Sequence, residues 1–364
     1  MVHVTFRFRS ASVAFFVSAL VAGCDAGSAL EVEPWDATIT EAGGSTDTET
    51  IPPPADAGLA PETPAAPPVT VIVLPDTQYY ASSYHDVFTQ QISWIVQQKP
   101  LLNIAAVLHV GDIVDGCNSA DQWQVARSAM GQLDGLIPYV VVPGNHDTDS
   151  ERKGLINSYF GPASMPWITG TMTARQIENN YALVDIGPKQ WLVLGLEFGP
   201  RDAVMTWADS VLKAYPNRPA IIVTHAYLYN DGKRYDQAIS GSDTTQPNYQ
   251  WWIPQYYGYT ATQGINDGEQ IWQKLILTNP NVRLVFSGHV TGGAHSSSTR
   301  PDGSVVHQML SDYQWLNGVY FGYGYLRVLQ FDYGKKTIQV QTYSPYLGQD
   351  LADDESQFSL SLEL

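Results

Sequence analysis

Five runs of apolar residues stand out along the chain, and none of them alternates with polar positions: VIVLP, IAAVLHV, YVVVP, AIIV and RLVFS. Such runs favour strands buried on both faces, as in the parallel sheets of α/β proteins. Between the runs, apolar residues recur three or four positions apart, which predicts helices with one buried face. Strands and helices therefore alternate, which predicts βαβ units and an α/β fold. The clearest helical stripes comprise Phe88, Ile92, Ile95 and Val96; Trp123, Ala126, Met130 and Leu133; and Val204, Trp207, Ala208, Val211 and Leu212.

Two local signals add detail to this pattern. Ser119 and Gln122 have the spacing of a capping box, which predicts that the second helix begins just after Ser119. Near the carboxyl end, YLRVLQF and KTIQVQTY flank the turn residues 332–335. This arrangement predicts a β-hairpin with a glycine-containing turn.

Polar residues follow each of the five apolar runs. Because ligands of open α/β sheets bind beyond the carboxyl ends of the strands, we expect these five loops to converge. Their carboxylates, amides and imidazoles suit divalent cations, and two neighbouring cations can clamp the attacking and leaving oxygens of a displacement. The sequence therefore predicts metal-assisted phosphoester hydrolysis. The motifs are Asp76-Thr77-Gln78, Gly111-Asp112-Ile113-Val114-Asp115, Gly144-Asn145-His146-Asp147, Thr224-His225 and Gly288-His289.

These motifs, in this order over residues 76–289, resemble the blocks of the calcineurin-like metallophosphoesterases. The pairing of Gly-Asp-x-x-Asp with Gly-Asn-His-Asp is specific to that family. The resemblance implies a four-layer sandwich of two mixed β-sheets flanked by helices, formed here by residues 69–364. It also implies that the carboxy-terminal hairpin belongs to the second sheet.

The resemblance implies a role for each motif residue. Asp112 would bridge two divalent ions of the iron, manganese or zinc type, and a metal-bridging hydroxide would attack the phosphorus. His146 would face the phosphate and protonate the leaving group, with Asp147 fixing the imidazole tautomer, whereas Asp115 would only orient its loop. The remaining ligands would be Asp76 and Gln78 on the first metal, and Asn145, His225 and His289 on the second.

Two departures from the family pattern fall on the first metal. Gln78 stands where the family usually has histidine, and Thr291 stands where the last block has its second histidine. An amide oxygen is a poorer donor than imidazole for iron or zinc, so we expect the first ion to bind weakly. His295 offers two alternatives: the glycines at 292 and 293 let it return toward the first metal, or it is an ordinary surface histidine in a serine-rich loop.

The amino terminus has the features of an export signal. Arg7 and Arg9 precede an apolar stretch that ends in Val-Ala-Gly-Cys24, which predicts a bacterial lipoprotein signal peptide over residues 1–23 and a lipid on Cys24. A plain signal peptide is the alternative. Cys117 is the one other cysteine, so the mature chain forms no intramolecular disulfide. We therefore expect an exported protein of the cell envelope that contacts the membrane only through this lipid.

Composition limits the partners. Residues 24–68 are acidic and rich in Pro, Ala and Thr, which predicts a disordered tether. The whole chain has a net charge of −17, and an acidic surface repels a nucleic-acid backbone. A small phosphoester is the expected substrate, and no nucleic-acid partner is expected.

Two questions stay open on the sequence alone. The aromatic segment 227–268 lies between two metal motifs, where its rings either pack as a structured insertion or stack on substrate. The protein itself is either a phosphoesterase or a metal-binding scaffold with little turnover. His146 favours the enzyme, because a scaffold has no need of a general acid beside its metal.

Overall fold

Two mixed β-sheets form the framework of the computed structural model, which describes residues 66–240, 248–259, 264–319 and 321–364. The strands are β1 Val69–Leu74, β2 Ile104–His109, β3 Tyr139–Val141, β4 Ile168–Thr171, β5 Asn180–Ile186, β6 Lys189–Leu196, β7 Ala220–Thr224, β8 Val282–Ser287, β9 Gly292–Thr299, β10 Val305–Asp312, β11 Leu326–Asp332, β12 Thr337–Ser344, β13 Gln349–Leu351 and β14 Phe358–Ser361. The first sheet has the order β13-β12-β11-β1-β2-β3, with β14 also paired to β12, and the second has the order β4-β5-β6-β7-β8-β10-β9.

Helices connect and cover the strands. They are α1 Gln78–Ser82, α2 His85–Leu102, α3 Ala120–Met130, α4 Ile156–Tyr159, α5 Asp202–Ala214, α6 Gln237–Ser240 and α7 Gly268–Ile271, which continues into a π-helical turn, Trp272–Ile276. Short 3₁₀ turns occupy Gly131–Leu133, Pro254–Tyr256, Leu316–Gly318 and Gly322–Gly324. The three predicted stripes are the buried faces of α2, of α3 with the turn that follows it, and of α5, although Val96 and Trp207 are only half-buried.

The predicted βαβ units are present in both sheets. β1, β2 and β3 run parallel, with Leu74 opposite His109 and His109 opposite Val141. In the second sheet β6, β7, β8 and β10 run parallel. Because the carboxyl ends of the strands are aligned within each sheet, the polar residues that follow them gather at one edge.

Alternate residues of the second sheet contribute to two different cores. On β6, Trp191 and Val193 pack with the first sheet, whereas Leu192, Leu194 and Leu196 pack with α5. The second sheet is therefore covered on both faces, by the first sheet and by helices. This confirms the predicted sandwich of two mixed sheets flanked by helices.

The carboxy-terminal hairpin differs from the expectation. β11 and β12 pair as predicted, but β11 also pairs antiparallel with β1, with Val71 opposite Leu329, so the hairpin belongs to the first sheet. The assignment to the second sheet was wrong. The physical reason is that β1 is buried along its whole length and needs a partner on the side away from β2.

The predicted capping box is also absent. α3 begins after Ser119 as expected, but the Ser119 side chain makes no capping bond. Instead Gln122 Oε1 accepts hydrogen bonds from the backbone N–H groups of Asp115 and Gly116, both at 2.9 Å. The amide that would have capped the helix therefore fixes the loop of the second motif. A capping box does form between Asp267 and Gln270, at the start of α7.

The predicted signal peptide and residues 24–65 of the tether lie outside the described residues, as do residues 241–247 and 260–263 of the aromatic segment. Within the part of the chain that is described, no helix has both the length and the apolar character needed to cross a membrane.

Arg327 ties the two sheets together. It lies on β11 with no exposed surface, and its guanidinium donates to Ser311 Oγ at 2.7 Å and to the Leu310 carbonyl at 2.9 Å, both on β10. A third bond reaches the Glu355 carbonyl at 2.9 Å. Hydrogen bonds from a charged donor are about twice as strong as neutral ones, so this clamp fixes the end of β10 against the first sheet.

We expect Arg327→Met to lower the free energy of unfolding by about 3 kcal/mol, because it leaves the buried Leu310 carbonyl and Ser311 Oγ without this charged donor. Urea denaturation measures this change. Lys335→Met, at an exposed turn position of the same hairpin, is the control and should change stability by less than about 0.5 kcal/mol. Equal stability of the two variants would contradict the clamp.

Candidate metal centre

A cavity of about 350 Å³ lies where the polar ends of the two sheets meet. Four of the five motifs contribute to its wall, and His225, from the fifth, lies fully buried beneath it. The lining residues are Asp76, Gln78, Tyr79, Asp112, Asn145, His146, Trp252, Tyr257, His289, Val290, Thr291, Asp312, Gln314 and Trp315. The predicted metal ligands are thus brought together, as convergence of the strand ends required.

His225 is oriented so that one ring nitrogen is free to bind a cation. Its Nδ1–H donates to the Val110 carbonyl at 2.9 Å, which places the lone pair on Nε2. Around Nε2 lie Asn145 Oδ1 at 3.1 Å, Asp112 Oδ2 at 3.2 Å and His289 Nδ1 at 3.2 Å. Electron-pair donors on all sides repel one another unless positive charge lies between them.

His289 has the complementary orientation. Its Nε2–H donates to the Trp252 carbonyl at 2.7 Å, which leaves Nδ1 facing His225. Burial, followed by the charge on His225, lowers the pKa of His289 to about 3, so the ring stays neutral, as a metal ligand must. Ligand atoms of Asp112, His225 and His289 all lie within 4.8 Å of one another.

Asp112 is held in an uncommon backbone conformation, with φ of +48°. Its Oδ1 accepts the backbone N–H of His146 at 2.8 Å, and Oδ2 points toward His225. Burial raises the pKa of Asp112, but the electrostatic and hydrogen-bond interaction with His225 outweighs burial and lowers the pKa to about 2. Burial likewise disfavours the His225 imidazolium, yet the Asp112 carboxylate raises the pKa of that ring. Asp112 and His225 together therefore form a pocket that favours bound positive charge.

Two further buried oxygens lack any hydrogen-bond partner among the described residues: Asp76 Oδ1 and Gln78 Oε1. The other Asp76 oxygen accepts the backbone N–H of His289 at 3.0 Å. Burial, followed by the negative charges of Asp312 and Asp112, raises the pKa of Asp76 well above its usual range. Unpaired buried oxygens beside a carboxylate bridge fit a divalent cation, since a cation would satisfy them all.

Glycines make room for these carboxylates. A Cβ at position 144 would overlap Asp112 Oδ1, and a Cβ at position 288 would overlap Asp76 Oδ1. The glycine that precedes Asn145 and the glycine that precedes His289 are therefore needed for close approach. The donor set and its surroundings fit a pair of divalent metal ions.

His295 does not reach this cavity. It lies on β9 opposite Met309, its ring stacks on Phe358 with centroids 3.8 Å apart, and its Nε2 lies 3.8 Å from a Glu355 oxygen. Of the two alternatives drawn from the sequence, the structure shows the one in which His295 is separate from the first metal. Thr291 lines the cavity, and its carbonyl accepts a hydrogen bond from Asn230.

His146 and Asp147 do not pair. His146 Nδ1–H donates to the Asp115 carbonyl at 3.1 Å, with Asp115 Oδ1 at 3.3 Å, so Asp115 takes the orienting role assigned to Asp147. Asp147 is fully buried and accepts the backbone N–H groups of Ile113, Val114 and Gly144. Because its carboxylate accepts all three of these hydrogen bonds, Asp147 connects the loop of residues 111–115 to the loop of residues 144–147.

Charge around His146 favours its protonated form. Burial alone would lower the pKa of His146, but the Asp112 carboxylate and the Asp115 carbonyl outweigh it and raise the pKa. No described residue bonds to Nε2, and His146 lines the cavity. The geometry leaves one ring nitrogen available to a bound molecule.

Asp312 and Gln314 are polar wall residues that the sequence reasoning missed, as it also missed Tyr79, Val290 and Trp315. Asp312 ends β10, a strand that is interrupted by the polar residues His307 and Gln308 and so lacks a continuous apolar run. It is only 3% exposed, and burial, opposed by His225 and reinforced by Asp112, raises its pKa to about 7. The usable signal was its position, at a strand end like the other motif residues.

One part of the aromatic segment packs in the core, and another part lines the cavity. Tyr227 and Tyr235 are fully buried in the core beside the second sheet. Trp252 and Tyr257 line the cavity, and Trp252 is 61% exposed. Part of the segment therefore packs, and part forms the rim of the site.

Comparison with known proteins identifies the family. Residues 69–292 match the model of the calcineurin-like phosphoesterases. The chain is 33% identical over 319 residues to an uncharacterized Bacillus subtilis protein, YvnB, and the match covers 83% of this chain and 22% of that relative, so the chain spans about a fifth of its length. Similar solved structures include a dimetal phosphatase from Danio rerio (TM-score 0.49, 11% identity, 82% of this chain and 100% of that one) and a purple acid phosphatase from yellow lupin (TM-score 0.47, 16% identity, 82% and 54%). The chain belongs to the calcineurin-like phosphoesterase family.

Proposed function

We propose that this protein hydrolyses small phosphoesters at the cavity between its two sheets. The observation that carries the proposal is that the buried oxygens Asp76 Oδ1 and Gln78 Oε1, which have no hydrogen-bond partner among the described residues, lie at the same site as the cluster of Asp112, His225 and His289. Divalent metal ions bound there would supply Lewis acidity and an activated water nucleophile. Asp76 and Gln78 would hold one ion, Asn145, His225 and His289 would hold the other, and Asp112 would contact both.

His146 has the geometry of a general acid. The Asp115 carbonyl accepts its Nδ1–H, so the ring is held with Nε2 toward the cavity. A proton on Nε2 can pass to the oxygen of the departing alcohol, which would otherwise leave as an unstable alkoxide. Asp115 therefore acts as a positioning residue for His146, and Asp147 supports the loops behind it.

The cavity wall suggests the charge of the substrate. Asp76, Asp112 and Asp312 are carboxylates, and none of the described lining residues is Lys or Arg. Bound metal ions would neutralise these carboxylates, but the described wall has no Lys or Arg side chain to bind the additional charge of a phosphomonoester dianion, whereas a phosphodiester carries one negative charge. The aromatic rim offers apolar surface to the second ester group. We therefore propose a small phosphodiester as the preferred substrate.

We further propose that the protein is exported and anchored by a lipid on Cys24. The support is the sequence alone: two arginines, an apolar stretch and small residues directly before Cys24. A tether at residues 24–68 would then separate the catalytic domain from the membrane.

His146→Ala should slow turnover by about 10²- to 10⁴-fold while the protein keeps its metal, because the variant loses only the proton donor. The decrease should be larger for alkyl esters than for 4-nitrophenyl esters, whose leaving group needs little protonation. Asp112→Asn should lose both metal and activity. Rates on both ester types, with metal content measured in parallel, test this.

His85→Ala, at an exposed helix position, is the matched control and should behave as wild type. If fully metallated His146→Ala is as fast as wild type on both ester types, His146 is only a turn residue. That result would favour the metal-binding scaffold.

The substrate charge predicts a preference between two esters with the same leaving group. We expect kcat/KM for bis(4-nitrophenyl) phosphate to exceed that for 4-nitrophenyl phosphate by about tenfold or more, since no described lining side chain is a Lys or Arg that would bind the second charge of the monoester, whereas Trp252 and Tyr257 can contact the second ester group. Added salt should narrow the difference by screening. Trp252→Ala should weaken only the diester reaction. Faster hydrolysis of the monoester at all salt concentrations would sink the proposed preference.

The anchor makes a separate prediction. Wild-type protein should partition with membranes, and Cys24→Ser should be unprocessed or soluble. Cys117→Ser removes the other thiol, in the folded domain, and should partition as wild type does. Fractionation of bacterial cells followed by immunoblotting measures this, and equal partitioning of Cys24→Ser and wild type would rule out the lipid.

A further inference from the structure

The first metal position lacks one ligand compared with the family pattern, because Thr291 stands where the family has an imidazole. We propose that Asp312 supplies this ligand, so that the first metal site is built from oxygen atoms of Asp76, Gln78, Asp112 and Asp312. The inference rests on the proposed function for the presence of a first metal ion, and it adds to that function a residue and a metal preference.

The strand register places Asp312 beside the missing ligand. Asp312 is the last residue of β10 and pairs with Gly292 of β9, which directly follows Thr291. Asp312, at the end of β10, and Thr291, just before β9, therefore lie close together, and both line the cavity together with Asp76 and Gln78. A carboxylate from position 312 borders the same corner of the cavity that an imidazole at position 291 would occupy.

The bonding of Asp312 is incomplete. Its Oδ1 accepts the backbone N–H of Gln314 at 2.9 Å, and no other hydrogen bond or ion pair to this carboxylate occurs among the described residues. The guanidinium of Arg327 is committed to Leu310, Ser311 and Glu355. A carboxylate that is only 3% exposed and has no cationic partner is costly unless a cation binds it.

Independent evidence for an ion at this corner comes from its neighbours. Asp76 Oδ1 and Gln78 Oε1 are buried, without hydrogen-bond partners among the described residues, and belong to residues that face the same cavity. Asp76 and Asp312 are both buried carboxylates, and both line this cavity. One cation between them would neutralise the repulsion and satisfy the unpaired oxygens.

The donor atoms then differ between the two metal positions. The first would have carboxylate and amide oxygens only, a set that prefers hard ions such as Mn²⁺ or Mg²⁺. The second has two imidazole nitrogens and suits zinc or iron. Exchange of a neutral imidazole for an anionic oxygen therefore changes which ion binds, and it keeps a full set of ligands.

The backbone around Asp312 is fixed in advance. Arg327 bonds to the two residues immediately before it, and the Gln314 N–H orients its carboxylate. A ligand held by packing and hydrogen bonds loses little entropy when a metal binds.

The test is metal stoichiometry and affinity in the purified full chain, which needs no substrate. Isothermal titration with Mn²⁺ and elemental analysis should give two ions for wild type. Asp312→Asn should lower the affinity for one of them by about 10- to 100-fold, with circular dichroism confirming the fold. His295→Ala, which removes the other nearby candidate ligand, should keep both ions. Adding Thr291→His to Asp312→Asn should restore the ion at the first metal position and shift the preference of that position toward Zn²⁺.

Three results would overturn the assignment: wild-type affinity in Asp312→Asn, loss of an ion in His295→Ala, or a wild-type protein that binds only one ion at any Mn²⁺ concentration. If Asp312→Asn does not fold, Asp312→His gives the answer, because an unchanged preference for Mn²⁺ over Zn²⁺ in that variant contradicts ligation. A wild-type protein that binds two ions, loses one in Asp312→Asn and hydrolyses no phosphoester would refute the proposed function and leave Asp312 as a ligand.

Discussion

A group of buried carboxylates without a lysine or arginine partner is the constraint on which this structure depends. Asp76, Asp112 and Asp312 share one cavity wall, and no described lining residue is Lys or Arg. The fold brings them together through aligned strand ends, glycines that admit the carboxylates, and backbone N–H groups that each occupy one carboxylate oxygen. Asp76 Oδ1 is left without a hydrogen-bond partner among the described residues, and bound cations would stabilise the group of carboxylates. Metal binding at this site and the final packing of the two sheets are therefore thermodynamically coupled.

Much of the fold and of the candidate site was predictable from the sequence, because the signals for both lie in residues that are close together along the chain. Strands buried on both faces appear as uninterrupted apolar runs. The sequence alone therefore locates five of the strands and the polar residues that follow each of them. The helical stripes marked α2, α3 and α5 for the same reason. Motif order then identified the family, and His225, His289 and Asp112 converge as the alignment of strand ends requires.

The rest depended on partners that are distant along the chain. Pairing of β11 with β1 follows from the open side of β1, which no local pattern reveals. Asp115 orients His146 through its backbone carbonyl. Because every residue has such a carbonyl, the residue type gives no indication of this hydrogen bond. Asp147 has the residue type expected of a carboxylate that fixes a histidine tautomer, yet it accepts hydrogen bonds from three backbone N–H groups and does not bond to His146. Asp312 was hidden because His307 and Gln308 interrupt its strand.

The pairing of β1 with β11 also governs the order in which the centre can be completed. Asp76 directly follows β1, whereas β11 begins only at Leu326, so nearly the whole domain lies between two adjacent strands. Closing so long a loop costs entropy before the contact returns any stabilisation, and contacts of high sequence separation form slowly. A nascent or truncated chain that ends before the hairpin has every family motif and still lacks the strand that supports the first of them. The proposed metal centre can therefore form fully only after the carboxy-terminal hairpin has been made and has paired with β1.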